Sequence, residues 1–87
     1  MNYKYYKNLI DRIYKVLCLC ENNSQTYEQY VSTLCFELSA NRDFAEVESI
    51  RFKLQALIIN KSKQKEVRKT VFECISLVNK ILNNSGV

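Results

Sequence analysis

The sequence predicts an all-α protein, a small antiparallel four-helix bundle, and three observations carry the prediction. The chain has no proline and one glycine, Gly86, beside its C-terminus. Hairpins and tight turns lean on Gly, Pro and Asn-Gly pairs, so strands have nothing here to turn on. Apolar residues recur at spacings of three and four, the helical period, in four successive blocks. The breaks between the blocks, ENNSQT, SANR and NKS, are short and polar. Loops this short make neighbouring helices run antiparallel.

The first helix is expected over about 3–21, with Tyr6, Ile10, Ile13, Leu17 and Cys20 as its apolar stripe. The second is expected over 26–40, opened by a capping box of Thr26 and Gln29 and striped by Tyr27, Tyr30, Val31, Leu34 and Leu38. The third is expected over 43–60. Asp43 and Glu46 match the Asp-x-x-Glu form of the cap, and Glu46 and Glu48 suit the positive end of the helix dipole. Its stripe is Val47, Ile50, Leu54, Leu57 and Ile58. Ser62 is the expected cap of the fourth, over 62–83, which carries Val67, Val71, Cys74, Ile75, Val78 and Leu82.

With 87 residues the chain makes one domain, 1–87, burying roughly 60% of its unfolded surface. Apolar residues at 47% and charged residues at 25% are ordinary for a globular protein and argue against disorder. No apolar run approaches the ~18 residues of a membrane span. The first residues, MNYKYYKNLI, lack the apolar core of a signal peptide, so the expected location is the cytoplasm.

Catalysis and cofactors find little support. Without histidine there is no imidazole base, no Ser-His triad and no HExxH site, and no glycine-rich loop could cradle a phosphate. Asp43, Glu46 and Glu48 already have a role as first-turn charges. A structural zinc would need all four cysteines. Cys18 and Cys20, two apart on a helix, point about 200° away from each other and cannot share a metal or a disulfide. Buried, reduced thiols are expected at Cys20 and Cys74, with Cys35 at a stripe edge and Cys18 exposed. The sequence thus predicts a protein that is not an enzyme and needs neither cofactor nor metal.

Charge is sorted along the chain. Residues 1–20 set four cations against Asp11, 21–48 set six carboxylates against Arg42, and 49–87 set eight cations against Glu66 and Glu73. The stretch KSKQKEVRK, 61–69, alone carries five of those cations. Lys61, Lys63 and Lys65 crowd the start of the fourth helix, where the dipole disfavours positive charge. Lys69 is placed to pair with Glu66 and Glu73. Lys61, Lys65, Arg68 and Lys69 spread beside the core stripe as a basic patch that is a solvated face, a docking patch or a nucleic-acid grip. No zinc finger, RNP-type aromatic set or glycine-containing helix-turn-helix bend accompanies it.

The third helix has a second apolar face. Ala45, Phe52, Ala56 and Ile59 recur opposite its main stripe, Glu48 shares that side, and Phe36 of the second helix points away from Leu34 and Leu38. An ordinary bundle helix has one apolar side, so a second needs irregular packing or a partner to cover it. Phe52 and Ile59 are the expected anchors, with Glu37, Asp43, Glu46 and Glu48 as their acidic surround.

Taken whole, with its short polar loops, Asn/Lys/Ile/Tyr-rich composition and lack of a catalytic set, the chain resembles small all-helical bacterial toxin-immunity proteins, including those of contact-dependent inhibition systems. The resemblance is one of type and carries over no motif residue. It implies an inhibitor that binds and neutralises one cognate toxin, as a monomer or homodimer. A net charge of +4 departs from the acidic inhibitors usual against basic nucleases, so either the acidic 21–48 region makes that contact or the basic fourth helix meets an acidic patch of the toxin. The alternatives are a small nucleic-acid-binding accessory protein acting through residues 61–69, and a homo-oligomeric structural module.

Overall fold

A computed structural model of the chain describes residues 3–22 and 24–84. It contains four helices in order: α1 (Tyr3–Asn22), α2 (Ser24–Ala40), α3 (Ala45–Ile59) and α4 (Gln64–Asn84). Each packs on its sequence neighbours and α1 closes the ring on α4, while diagonal pairs do not meet among the described residues. Cross-helix contacts run in opposite sequence directions. Tyr6 meets Asn41, Arg12 meets Glu37 and Lys15 meets Tyr30; on the other side Glu46 meets Lys80 and Lys53 meets Glu73. The architecture is therefore the antiparallel four-helix bundle that the periodicity predicts. Its Cα radius of gyration, 12.4 Å, is close to the ~12 Å of a compact chain of this length.

One core takes side chains from all four helices, and among the described residues no charged side chain is buried in it; it does take in the Tyr6 hydroxyl, bonded to Asn41, and the Tyr27 hydroxyl, which has no hydrogen-bond partner. The expected stripes of α2 and α3 form the core, with Tyr30 and Ile58 only half-buried and Cys35 added. The α1 stripe is rotated: Leu9 and Val16 are buried, and Ile10, Leu17 and Cys20 move to its half-buried edge. Ile81 replaces Leu82 in α4 for the same reason. Two adjacent apolar residues compete for one inward direction, and periodicity alone does not choose between them. Each large aliphatic chain buried here contributes about 1.5–3 kcal/mol of transfer free energy.

The helix starts differ from the expected caps. Helix α2 begins at Ser24, which puts Thr26 inside its first turn. Helix α3 is capped by extended Phe44 with no side-chain cap bond, and the Asp43 amide donates instead to Asn41 Oδ1 at 3.3 Å. Phe44 wins because its ring packs edge-on against Tyr6, 5.9 Å between centroids, burying apolar surface that a polar cap would forgo. Ser62 does not cap α4; the Lys63 carbonyl accepts the first helical bond, from the Val67 amide at 3.0 Å. Ser62 serves the end of α3 instead. Its amide bonds to the Leu57 carbonyl and that of Lys61 to the Ile58 carbonyl, the two bonds of a Schellman motif. Lys61 holds the left-handed position of that motif, at φ 47°, where glycine is usual.

Candidate functional site

Helices α1 and α4 are sharply one-sided, whereas α2 and α3 carry apolar residues outside the core as well. The consequence is a face on α2 and α3 with three large apolar side chains in solvent: Phe36 is 78% exposed, Ile59 72% and Phe52 61%. Phe36 and Ile59 line one open groove of about 400 Å³, with Ser32 and Ser39 of α2 and Arg51, Gln55 and Ile58 of α3, and Cys35 reaching it from the core edge. Phe52 lies beside it, its ring 4.7 Å from the Arg51 guanidinium carbon.

Arg51 organises this face. It donates to Glu48 Oε2 at 2.9 Å and to Gln55 Oε1 at 3.4 Å while stacking on Phe52. The pairing holds the Glu48 carboxyl below its ordinary range and raises Arg51 further. The guanidinium is thereby fixed over the ring, and the charge beside this apolar surface is already neutralised within it. Sequence reading missed Arg51; the signal was its place next to Phe52 and three residues after Glu48, the helical ion-pair spacing.

The expected acidic surround does not assemble as one patch. Only Glu48 adjoins Phe52, through Arg51. Glu37 turns to α1, where Arg12 Nη1 is 2.6 Å from its carboxylate. Glu46 turns to α4, 4.0 Å from Lys80 Nζ. Asp43 is exposed in the α2–α3 connection and shares with Glu37 a second depression that Phe36 also borders. The directions of successive α3 residues, about 100° apart, separate Glu46 from Glu48 by more than half a turn.

The basic stretch sits at the opposite end of the bundle from Asp43. Lys61, Lys63, Lys65, Arg68 and Lys69 are all exposed, and among the described residues none forms an ion pair. Of the two expected partners of Lys69, Glu73 crosses to Lys53 of α3 at 3.0 Å, and Glu66 forms no ion pair among the described residues. Five cations are thus left to solvent or to a ligand.

The cysteines are free, with Cys18 exposed, Cys20 half-buried, and Cys35 and Cys74 buried. Among the described residues no group of three or more His, Cys, Asp or Glu could hold a metal ion. Burial raises the thiols of Cys20 and Cys35 and pushes Cys74 up to about 12. Thiolate is the reactive form, so alkylation of the folded protein at neutral pH should label Cys18 first and Cys74 last. Site-resolved mass spectrometry over time checks the order; early labelling of Cys74 would show a core that opens readily.

Among the described residues no helix is long and apolar enough to cross a membrane. No family model, no curated protein and no solved structure matches the chain.

Proposed function

We propose that this protein is a non-enzymatic binding module that captures one protein partner on its α2/α3 face, most concretely as an immunity- or antitoxin-like inhibitor of a bacterial toxin. One observation carries the reading: Phe36, Phe52 and Ile59 are each more than half exposed on that single face. Scattered apolar side chains are normal on a surface, but two large ones lining one groove with a third beside it are the pattern of a protein interface. Aromatic anchors in such patches dominate binding energy, and Arg51 holds one of them in place. The type-level resemblance to toxin-immunity proteins supplies the partner class.

The test is affinity capture from nuclease-treated lysate of the source cell, with wild type beside Phe52→Asp, Phe36→Asp and Lys65→Glu/Lys69→Glu. The expected result is one partner retained by wild type and by the charge reversal. The two Phe variants should weaken its binding about 30-fold or more, the hot-spot range. Co-expression should then relieve the partner's toxicity, and only with an intact α2/α3 face. A partner lost with the charge reversal but kept by both Phe variants would refute the reading. A homodimer dissociated by Phe52→Asp in sedimentation would assign the face to a second copy instead.

A further inference from the structure

We propose that the opposite side of the bundle, where α1 and α4 pack together, is a second binding surface whose ligand is single-stranded nucleic acid. Its centre is an aromatic pair. Tyr14 of α1 and Phe72 of α4 meet edge to face, 6.0 Å between centroids, and stay 44% and 45% exposed. Neither belongs to the core, and neither borders the α2/α3 groove.

Helical geometry puts the cations around this pair. Lys65, Arg68 and Lys69 lie seven, four and three residues before Phe72, on its face of α4. Lys69 and Lys80 border the same depression as Phe72. On α1, Lys7 lies one heptad before Tyr14 on the same face, 5.3 Å from the centroid of the exposed Tyr3 ring. Lys61 and Lys63 extend the charge beyond the start of α4. Asp11 and Glu21 are the carboxylates on or beside that face of α1, outnumbered by the cations. The Glu73 carboxylate is occupied by Lys53.

Cations alone would suit any polyanion. The exposed rings select among them, because every unpaired base presents a face to stack on an aromatic side chain, while a duplex hides its base faces. Tyr14 and Phe72 brace each other, so little side-chain freedom is lost on stacking. The unpaired lysines and Arg68 supply the phosphate contacts that give affinity without sequence preference. The surface is independent of the α2/α3 face, and each can fail without the other.

Fluorescence anisotropy of the full chain with labelled oligothymidylate, a duplex of the same length and poly-glutamate tests the proposal. Variants are Phe72→Leu, which keeps apolar bulk but not the ring, Lys65→Glu/Arg68→Glu, and Phe36→Asp as a control on the other face. Circular dichroism confirms that each is folded. The single strand should bind at low salt and weaken as salt rises, with a logarithmic slope of about −0.7 per phosphate contacted. Phe72→Leu should weaken it about 5- to 100-fold, the charge reversal should abolish it, and Phe36→Asp should leave it unchanged. Absence of binding at low salt would overturn the proposal. So would duplex binding equal to single-strand binding and indifferent to Phe72→Leu, which means undirected charge. Tighter binding of poly-glutamate would assign the surface to an acidic protein.

Discussion

A Tyr6→Ala variant is expected to lose about 3–5 kcal/mol of stability, a large share of the roughly 5–15 kcal/mol that keeps a domain folded. Tyr6 is fully buried at the end of the bundle where α1 begins and α2 ends. Its ring lies edge-on to Phe44, 5.9 Å between centroids, and to Tyr5 at 5.1 Å. Its hydroxyl oxygen accepts from Asn41 Nδ2 at 3.2 Å, and Asn41 Oδ1 in turn accepts from the Asp43 amide at 3.3 Å. One side chain therefore seals the core and fixes the α2–α3 connection, which has no glycine or proline to set its path. Truncation leaves a cavity and releases the connection together. Tyr6→Phe separates the two roles: it keeps the ring and removes the hydrogen bond, for about 1 kcal/mol. Urea unfolding of the three proteins measures both steps. If Tyr6→Ala cost no more than Tyr6→Phe, the ring would not be sealing this end.

The placement of Tyr6 shows what was legible from residues alone. Helical period and the want of turn-forming residues were enough for four antiparallel helices, because burial of an amphipathic stripe decides that architecture. Most core positions follow the same pattern. The helix ends were not legible from the polar candidates Thr26, Asp43 and Ser62, because α2 starts two residues before Thr26, a tertiary contact decides the start of α3, and a local turn takes up Ser62. Phe44 caps α3 for its packing on Tyr6, and Ser62 closes α3 rather than opening α4. The outward direction of Phe52 and Ile59 was readable from spacing. The dispersal of Glu37 and Glu46 was not, since each turns toward a cation on another helix, Arg12 and Lys80. Tyr14 and Phe72 went unseen for a related reason: they meet only when α1 and α4 pack, and no pattern within one helix announces the pair.

The double substitution Lys61→Gly/Lys63→Asp is expected to stabilise the protein by about 2 kcal/mol and raise Tm by roughly 10 °C. Lys61 holds a left-handed backbone at φ 47°, which costs a side-chain-bearing residue about 1–2 kcal/mol that glycine does not bear. Lys63 stands where the Val67 amide finds its first carbonyl, the position at which an aspartate side chain would satisfy a free amide and favour the dipole. A lysine there has only donors to offer and a charge of the wrong sign. Thermal unfolding at low and high salt tests this directly. Wild type should gain from added salt, because its cations repel one another at the positive end of a helix, and the variant should gain less. A double variant no more stable than wild type would mean that the turn is not strained and the helix start is satisfied in some other way. The expected gain has a functional edge. Stability left unclaimed at Lys61 and Lys63 is what selection for charge at that end would leave behind, so the same variant should lose affinity for oligothymidylate while becoming harder to unfold. A variant both more stable and equally tight in binding would place the phosphate contacts on Lys65, Arg68 and Lys69 alone.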